Sequence, residues 1–252
     1  MSITSYPELV TFGGGVGNYP YYLQVSRGLV DGHKRVFKFG YNGEIQNVEE
    51  TIWDTGGIYV YPSTALAMTA TSASGATDSG VQITIQGLDA SYNEVSEEVT
   101  LNGSGTATTT QTYLRVYRAF NSGSTAAVGN VGISNGGTTY ALVAAAEQQT
   151  LMALWTVPAG YTAYLFQLDV TAFTEQNNKV ATIRMVTREF NGVFRTQSKF
   201  DMDAGVYSQT IQAPQPILEK TDVEFRAVAS SSNADLKLAA AFDIVYIENT
   251  AP

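Results

Sequence analysis

The sequence predicts an all-β protein: two β-sandwich domains, the C-terminal one jelly-roll-like, behind an extended N-terminal arm. Three observations predict this. Apolar and polar side chains alternate in run after run, as where Val81, Ile83 and Ile85 enclose Gln82 and Thr84, the two-residue period of a half-buried strand. Glycine, asparagine and aspartate clusters bound these runs and supply turn chemistry. No segment of useful length keeps a helical period. The 252 residues suffice for two ordinary domains, each burying its own core.

The arm is assigned to residues 1–30, the first β domain to 31–146 and the C-terminal sandwich to 147–252. In the arm, Gly13, Gly14, Gly15 and Gly17 mix with Tyr19, Tyr21 and Tyr22, and strand-like alternation is confined to Leu23–Ser26. Such a segment builds no core alone and is suited to lie on another surface. Tyr19, Tyr21 and Tyr22 are therefore the candidate partner-contact residues.

From Lys34 the pattern tightens. Val36, Phe37 and Phe39 precede Asn42-Gly43, a strong hairpin signal. Ile45, Val48, Ile52 and Trp53 should form the return strand, and Ile58–Tyr61 another after the Asp54-Thr55-Gly56-Gly57 turn. Ser63–Met68 has room for one helical turn, and Thr69–Ser79 reads as a strand edge or loop. The clearest unit is the hairpin from Val81–Ile85 to Val95–Leu101, turning at Gly87, Asp89 and Asn93. A threonine-rich stretch from Ser104, a strand from Tyr113 to Phe120, and a hairpin through Asn135-Gly136-Gly137 complete the first domain. Alanine-rich Ala144–Gln148 is the expected junction.

The second half opens at Leu151–Val157 and continues into a long alternating strand, Tyr161–Phe173. Val180–Phe190 should pair through Asn191-Gly192 with Val193–Phe200. Val206–Ile211 follows, Pro214 and Pro216 set an extended edge, and Asp222–Val228 should point Val223, Phe225 and Ala227 inward with Glu224 and Arg226 outward. Leu236–Ile247 closes the sandwich.

Composition narrows the function. Lys plus Arg number 14 against 23 Asp plus Glu, a net charge of −9, which repels phosphate backbones and anionic membranes. Neither nucleic acid nor membrane is an expected partner. Cysteine is absent, which removes disulfides, thiol nucleophiles and thiolate zinc sites. The N-terminus shows no basic segment followed by an apolar run, so the expectation is a soluble protein without an ordinary export signal.

Candidate chemistry is sparse. Asp54-Thr55-Gly56 matches the tripeptide of aspartic proteases, in which two aspartates share a proton, but a turn between strands accounts for it equally. Asp201-Met202-Asp203 has alternating oxygen ligands without a third side-chain oxygen or a downstream bidentate glutamate, so a turn is expected there rather than calcium. Neighbours in a strand face opposite ways, so Glu49-Glu50 and Glu97-Glu98 read as solvated surface, not as a glycosidase pair. His33 is the only histidine, there is no Gly-x-Ser-x-Gly elbow, and Gly13–Gly17 lacks the lysine of a phosphate loop. No catalytic, cofactor-binding or metal residue is assigned, and no enzymatic activity is expected.

The runs IWDTGGIYVYPSTALAMTATSAS, VQITIQGLDASYNEVSEEVTLNG and LRVYRAF resemble virion proteins of tailed phages, especially marine podovirus-type phages. WTVPAGYTAYL and EKTDVEFRAVASSSNADLKLAAAFDIVYI resemble strands of jelly-roll modules in such particles. Together these cover about half the chain. The resemblance implies a structural role in the virion, assembled in the host cytoplasm: a capsid decoration or cement protein contacting the major capsid protein or other virion proteins. The alternative is a tail, fibre or adaptor protein binding a host receptor or carbohydrate, for which Trp53 or Trp155 would line a groove with Tyr beside Asp or Asn. Absence of collagen-like or coiled-coil repeats shifts weight from a fibre shaft to a compact subunit. A homo-oligomer is expected, and a trimer would suit threefold sites.

Overall fold

The computed structural model describes residues 19–175, 179–231 and 235–250; most of the predicted arm, residues 1–18, lies outside them. A six-residue helix, α1 (Tyr21–Ser26), stands where Leu23–Ser26 predicts extended chain. The reason is local: Pro20 precedes it, and the Pro20 carbonyl accepts the N–H groups of Leu23 and Gln24 at 2.9 and 3.1 Å, closing the turn that a proline at a helix start favours.

Strands follow in chain order: β1 (His33–Asn42), β2 (Glu50–Thr51), β3 (Leu66–Ser72), β4 (Gln82–Leu88), β5 (Glu94–Thr100), β6 (Thr106–Tyr113), β7 (Arg115–Asn121), β8 (Val131–Asn135) and β9 (Thr138–Val143). The remainder are β10 (Leu154–Thr156), β11 (Tyr161–Thr174), β12 (Ala181–Arg188), β13 (Arg195–Met202), β14 (Gly205–Thr210), β15 (Pro216–Ile217), β16 (Asp222–Ala229) and β17 (Leu236–Glu248). The fold is all-β, built from antiparallel sheets. The hairpins β4–β5, β8–β9 and β12–β13 form where the turn signals predict them, with Ile83 opposite Val99 in the first.

Among the described residues, four sheets stack in two pairs. The first sheet runs β1-β17-β11-β14 with β15 also on β11; the second runs β10-β16-β12-β13 with β2 on β16. Trp155, Phe225, Phe242 and Ile183 fill the space between them. The third sheet, β6-β3-β8-β9, and the fourth, β5-β4-β7, enclose a second core around Tyr113, Met68, Ile85 and Ile133. The two cores share a wall. Along Met152–Trp155 successive side chains alternate, so that Met152 and Leu154 enter the second core while Ala153 and Trp155 enter the first.

Several expectations change here. Asn42-Gly43 makes no hairpin: Asn42 is buried, its Oδ1 accepts the Glu44 N–H at 3.0 Å and its Nδ2 donates to Glu50 at 3.2 Å. β1 pairs instead with β17, His33 opposite Ile247, and β2 with β16. β1 and β2, assigned from the sequence to the first domain of residues 31–146, thus pair with strands of the C-terminal sandwich. Ser63–Met68 is not helical, because Leu66–Ser72 is the strand between β6 and β8. Ile58–Tyr61 forms no strand; Tyr59 is tied down by its N–H to Thr51 Oγ1 at 2.8 Å and by its hydroxyl to the Val116 carbonyl at 3.0 Å.

Gly40 marks a close approach of two backbones. A Cβ there would lie 2.2 Å from the Ala153 nitrogen and 2.4 Å from the Ile52 oxygen, so only glycine lets β1 cross the opposing backbone.

Candidate functional site

Two places concentrate features that the fold itself does not require. One is the outer face of the first sheet. The inner positions of β17, Leu238, Ala240 and Phe242, fill the core, so their neighbours face outward by the two-residue period. Strand register places Tyr41, Ala239, Thr171 and Val206 in one outward row, and Phe39, Ala241, Asp169 and Ser208 in the next. Phe37 and Phe173, on the same face, are each 53% exposed, and Val206 73%. Isolated exposed apolar groups are ordinary, but several aligned on one sheet face form a patch.

The helix α1 sits at one end of this face. Tyr22 packs edge-on against Phe166 at 5.0 Å and Tyr21 against His33 at 6.0 Å. Arg35 clamps Asp243 through Nε at 2.7 Å while its Nη1 donates to Ser26 at 3.3 Å. The predicted contact residues Tyr19, Tyr21 and Tyr22 are 44%, 41% and 42% exposed, and they extend the aromatic character of the sheet face.

The other place is the seam between the cores. Glu224, expected to face water, is fully buried, because β16 is covered on its second face by the loop carrying Tyr61. Its carboxylate accepts from Thr51 Oγ1 at 2.5 Å, the Tyr61 hydroxyl at 3.1 Å and Arg226 Nε at 2.9 Å. Two residues away, buried Asp222 holds two guanidiniums: Arg115 Nε at 2.7 Å and Arg188 Nη2 at 2.6 Å, with Thr156 Oγ1 also at 2.6 Å. Burial, reinforced by the charges of Glu224 and Asp222, drives the Tyr61 phenol well above its ordinary range.

Above this cluster opens a crevice of about 470 Å³, bounded by Tyr61, Tyr92, Arg115, Arg188, Phe190 and Lys220. The Arg115 guanidinium lies over the rings of Tyr61 and Tyr92 at 5.0 and 5.3 Å, and Arg188 over Tyr61 at 4.5 Å. A second cavity, of about 560 Å³, lies between the first two sheets near Leu165, Met185 and Ile217.

Among the described residues, Lys38 and the largely buried Asp54 carboxyl have no ion-pair partner and carry strongly displaced proton affinities. Lys38 projects from β1 into the seam and donates to the Tyr117 carbonyl; burial, then the nearby Arg118 charge, lowers its ammonium to about 7. Asp54 accepts the Leu151 N–H at 3.2 Å through Oδ2 while Oδ1 has no partner. Burial raises this carboxyl to about 7.

The remaining sequence candidates are engaged locally. Asp54–Gly57 is a turn, with Gly56 and Gly57 at φ +72° and +69°. Glu50 is buried rather than solvated and accepts the Gly57 N–H at 3.0 Å; Glu49 pairs with Arg226 and Arg184. Glu97 ties down the N–H groups of Thr110 and Gln111, and Glu98 accepts from Gln82. Asp203 accepts the Ala204 N–H at 2.7 Å, Asp201 accepts from Thr182, and His33 Nδ1 lies 2.8 Å from the Asp31 carbonyl. Trp53 donates to the Gly56 carbonyl at 2.9 Å and, like Trp155, is buried. Among the described residues no group of three His, Cys, Asp or Glu is placed to hold a metal ion, and no helix is long and apolar enough to cross a membrane.

No protein-family model matches the chain, and no curated protein does. Among solved structures it is similar to infectious bursal disease virus, Gt strain, with 11% identity over 91% of this chain and 78% of that one, at a TM-score of 0.22. The VP2 subviral particle of infectious bursal disease virus aligns with 10% identity over 88% and 74% of the two chains, at a TM-score of 0.26. Superposition this loose carries no functional weight.

Proposed function

We propose that this chain is a non-enzymatic structural subunit of a tailed-phage particle, a decoration or cement protein that stabilises the head through subunit contacts. The sequence runs quoted above support the phage reading. The observation that carries a contact role is the outer face of the first sheet, where Phe37, Tyr41, Phe173 and Val206 stand exposed beside the tyrosines of α1. Aromatic side chains on a rigid sheet supply contact area at small entropic cost and are enriched where subunits bind most strongly. A second copy of the chain, in a trimer, is the proposed occupant of this face, and the major capsid protein the proposed neighbour.

The test combines light scattering of the purified chain with electron microscopy of labelled parent particles. Oligomers in solution, reduced to monomers by Phe37→Ser with Phe173→Ser while the thermal midpoint holds, and regular labelling over the head, are the expected results. Label confined to the tail tip transfers the role to host-receptor or carbohydrate binding. A monomer at high concentration together with unlabelled particles overturns the reading.

A further inference from the structure

The crevice over Asp222 has an imbalance of charge that the fold leaves uncompensated. Arg115 gives Asp222 two hydrogen bonds, from Nε at 2.7 Å and Nη2 at 3.1 Å, and spends Nη1 on the Pro62 and Leu114 carbonyls. Arg188 adds two more to the same carboxylate, from Nε at 2.9 Å and Nη2 at 2.6 Å. One carboxylate therefore answers two guanidiniums. Lys220 contributes a third cation, its Nζ 5.3 Å from the centre of the Phe190 ring and 6.0 Å from that of Tyr92. It has no carboxylate partner among the described residues. Glu189 also lines the crevice, but its carboxylate points to Arg195 at 3.6 Å and both side chains are mostly exposed.

This surplus of positive charge stands in a chain whose net charge is −9, within a half-enclosed space walled by aromatic rings. Low local dielectric strengthens attraction for an incoming anion there. The volume, about 470 Å³, falls in the range of small-molecule sites, roughly 300–1,000 Å³. We infer that the crevice between Lys220, Arg188 and the Tyr92 and Phe190 rings binds a small organic oxyanion, a carboxylate- or sulfate-bearing molecule of single-sugar size. The oxyanion meets the Lys220 ammonium and the exposed edge of Arg188, and the ligand body lies against the rings. This inference is independent of the assembly role, because the crevice lies at the seam and not on the outer sheet face.

Isothermal titration calorimetry at fixed ionic strength tests it, with glucuronate and inorganic sulfate as probes and glucose as the neutral control. Saturable binding of glucuronate without binding of glucose is expected. Binding of sulfate too shows that the oxyanion alone suffices, whereas glucuronate alone assigns the site to organic acids. Lys220 has φ +61°, a conformation asparagine tolerates, so Lys220→Asn removes the charge and keeps the backbone. It should weaken binding about tenfold or more, the loss expected for one charge-assisted contact, with an unchanged thermal midpoint, and Lys220→Arg should restore most of the affinity. Absence of saturable heat with both anions, or wild-type affinity in Lys220→Asn, overturns the inference.

Discussion

Replacing Asp54 with asparagine should make the protein more stable, and more so as pH rises. In the folded chain the Asp54 carboxyl is buried with one oxygen unpartnered and is raised from 3.8 to about 7. The folded state therefore binds this proton more tightly than the unfolded chain does. Its contribution to stability is complete below about pH 4, is lost as pH climbs to 7, and is constant above. At about 1.4 kcal/mol for each tenfold in proton affinity, the full loss is about 4 kcal/mol, of which about 2 has already gone at pH 5.5. Asparagine keeps an acceptor for the Leu151 N–H and never ionises. Urea unfolding followed by fluorescence of Trp53 and Trp155 should show the variant ahead by about 2 kcal/mol at pH 5.5 and about 4 at pH 8. The Lys38 ammonium, lowered from 10.5 to about 7, acts in the opposite sense: it destabilises below pH 7 and the loss is relieved as pH rises toward 10.5. It is common to both proteins and cancels in their difference. A difference that does not change with pH refutes the assignment of a buried, charge-averse carboxyl at position 54.

Three further substitutions probe the strand crossing, the seam and an exposed ion pair. Gly40→Ala forces a methyl into the Ala153 and Ile52 backbone and should cost about 3 kcal/mol or more in urea unfolding; a cost below about 1 kcal/mol means β1 does not cross where described. Asp222→Ala strands two guanidiniums and should cost about 3–5 kcal/mol, whereas Arg195→Ala, which breaks an exposed 3.6 Å pair with Glu189, should change stability by less than about 1. Equal effects at the two sites contradict the ranking.

Local structure was legible because it depends on neighbours in sequence. Alternation identifies β4–β5 with its Asp89 and Asn93 turn, and with Asn-Gly turns it identifies β8–β9 and β12–β13; the length of β17 follows from its regular period, while β11 keeps its length across a register shift between Leu165 and Gln167. Asn42-Gly43 misleads because β1 finds its partner in β17, a pairing no local signal encodes. Glu224 misleads for a related reason: alternation says which side of β16 it occupies but not that Thr51, Tyr61 and Arg226 wait there. The crevice was invisible in the sequence, since Tyr61, Tyr92, Arg188 and Lys220 come from four separate loops and strands. A signal did exist in the pair Glu224 and Arg226 on one face of an otherwise apolar strand. Composition alone points to Tyr19, Tyr21 and Tyr22 as candidate contact residues, aromatic groups next to a glycine-rich stretch.

The pairing of β1 with β17 bears on the order in which the chain folds. Each hydrogen bond of that ladder joins residues roughly two hundred positions apart, and the entropy of closing so long a loop must be overcome before the ladder yields anything. The intervening sheets contain adjacent hairpins, such as β4–β5 and β8–β9, that need no distant partner. During synthesis the middle of the chain can acquire its core while β1 still waits for β17, roughly two hundred residues further along. Until then its row of Val36, Phe37 and Phe39 is an unpaired apolar edge, the period in which this chain is most open to aggregation.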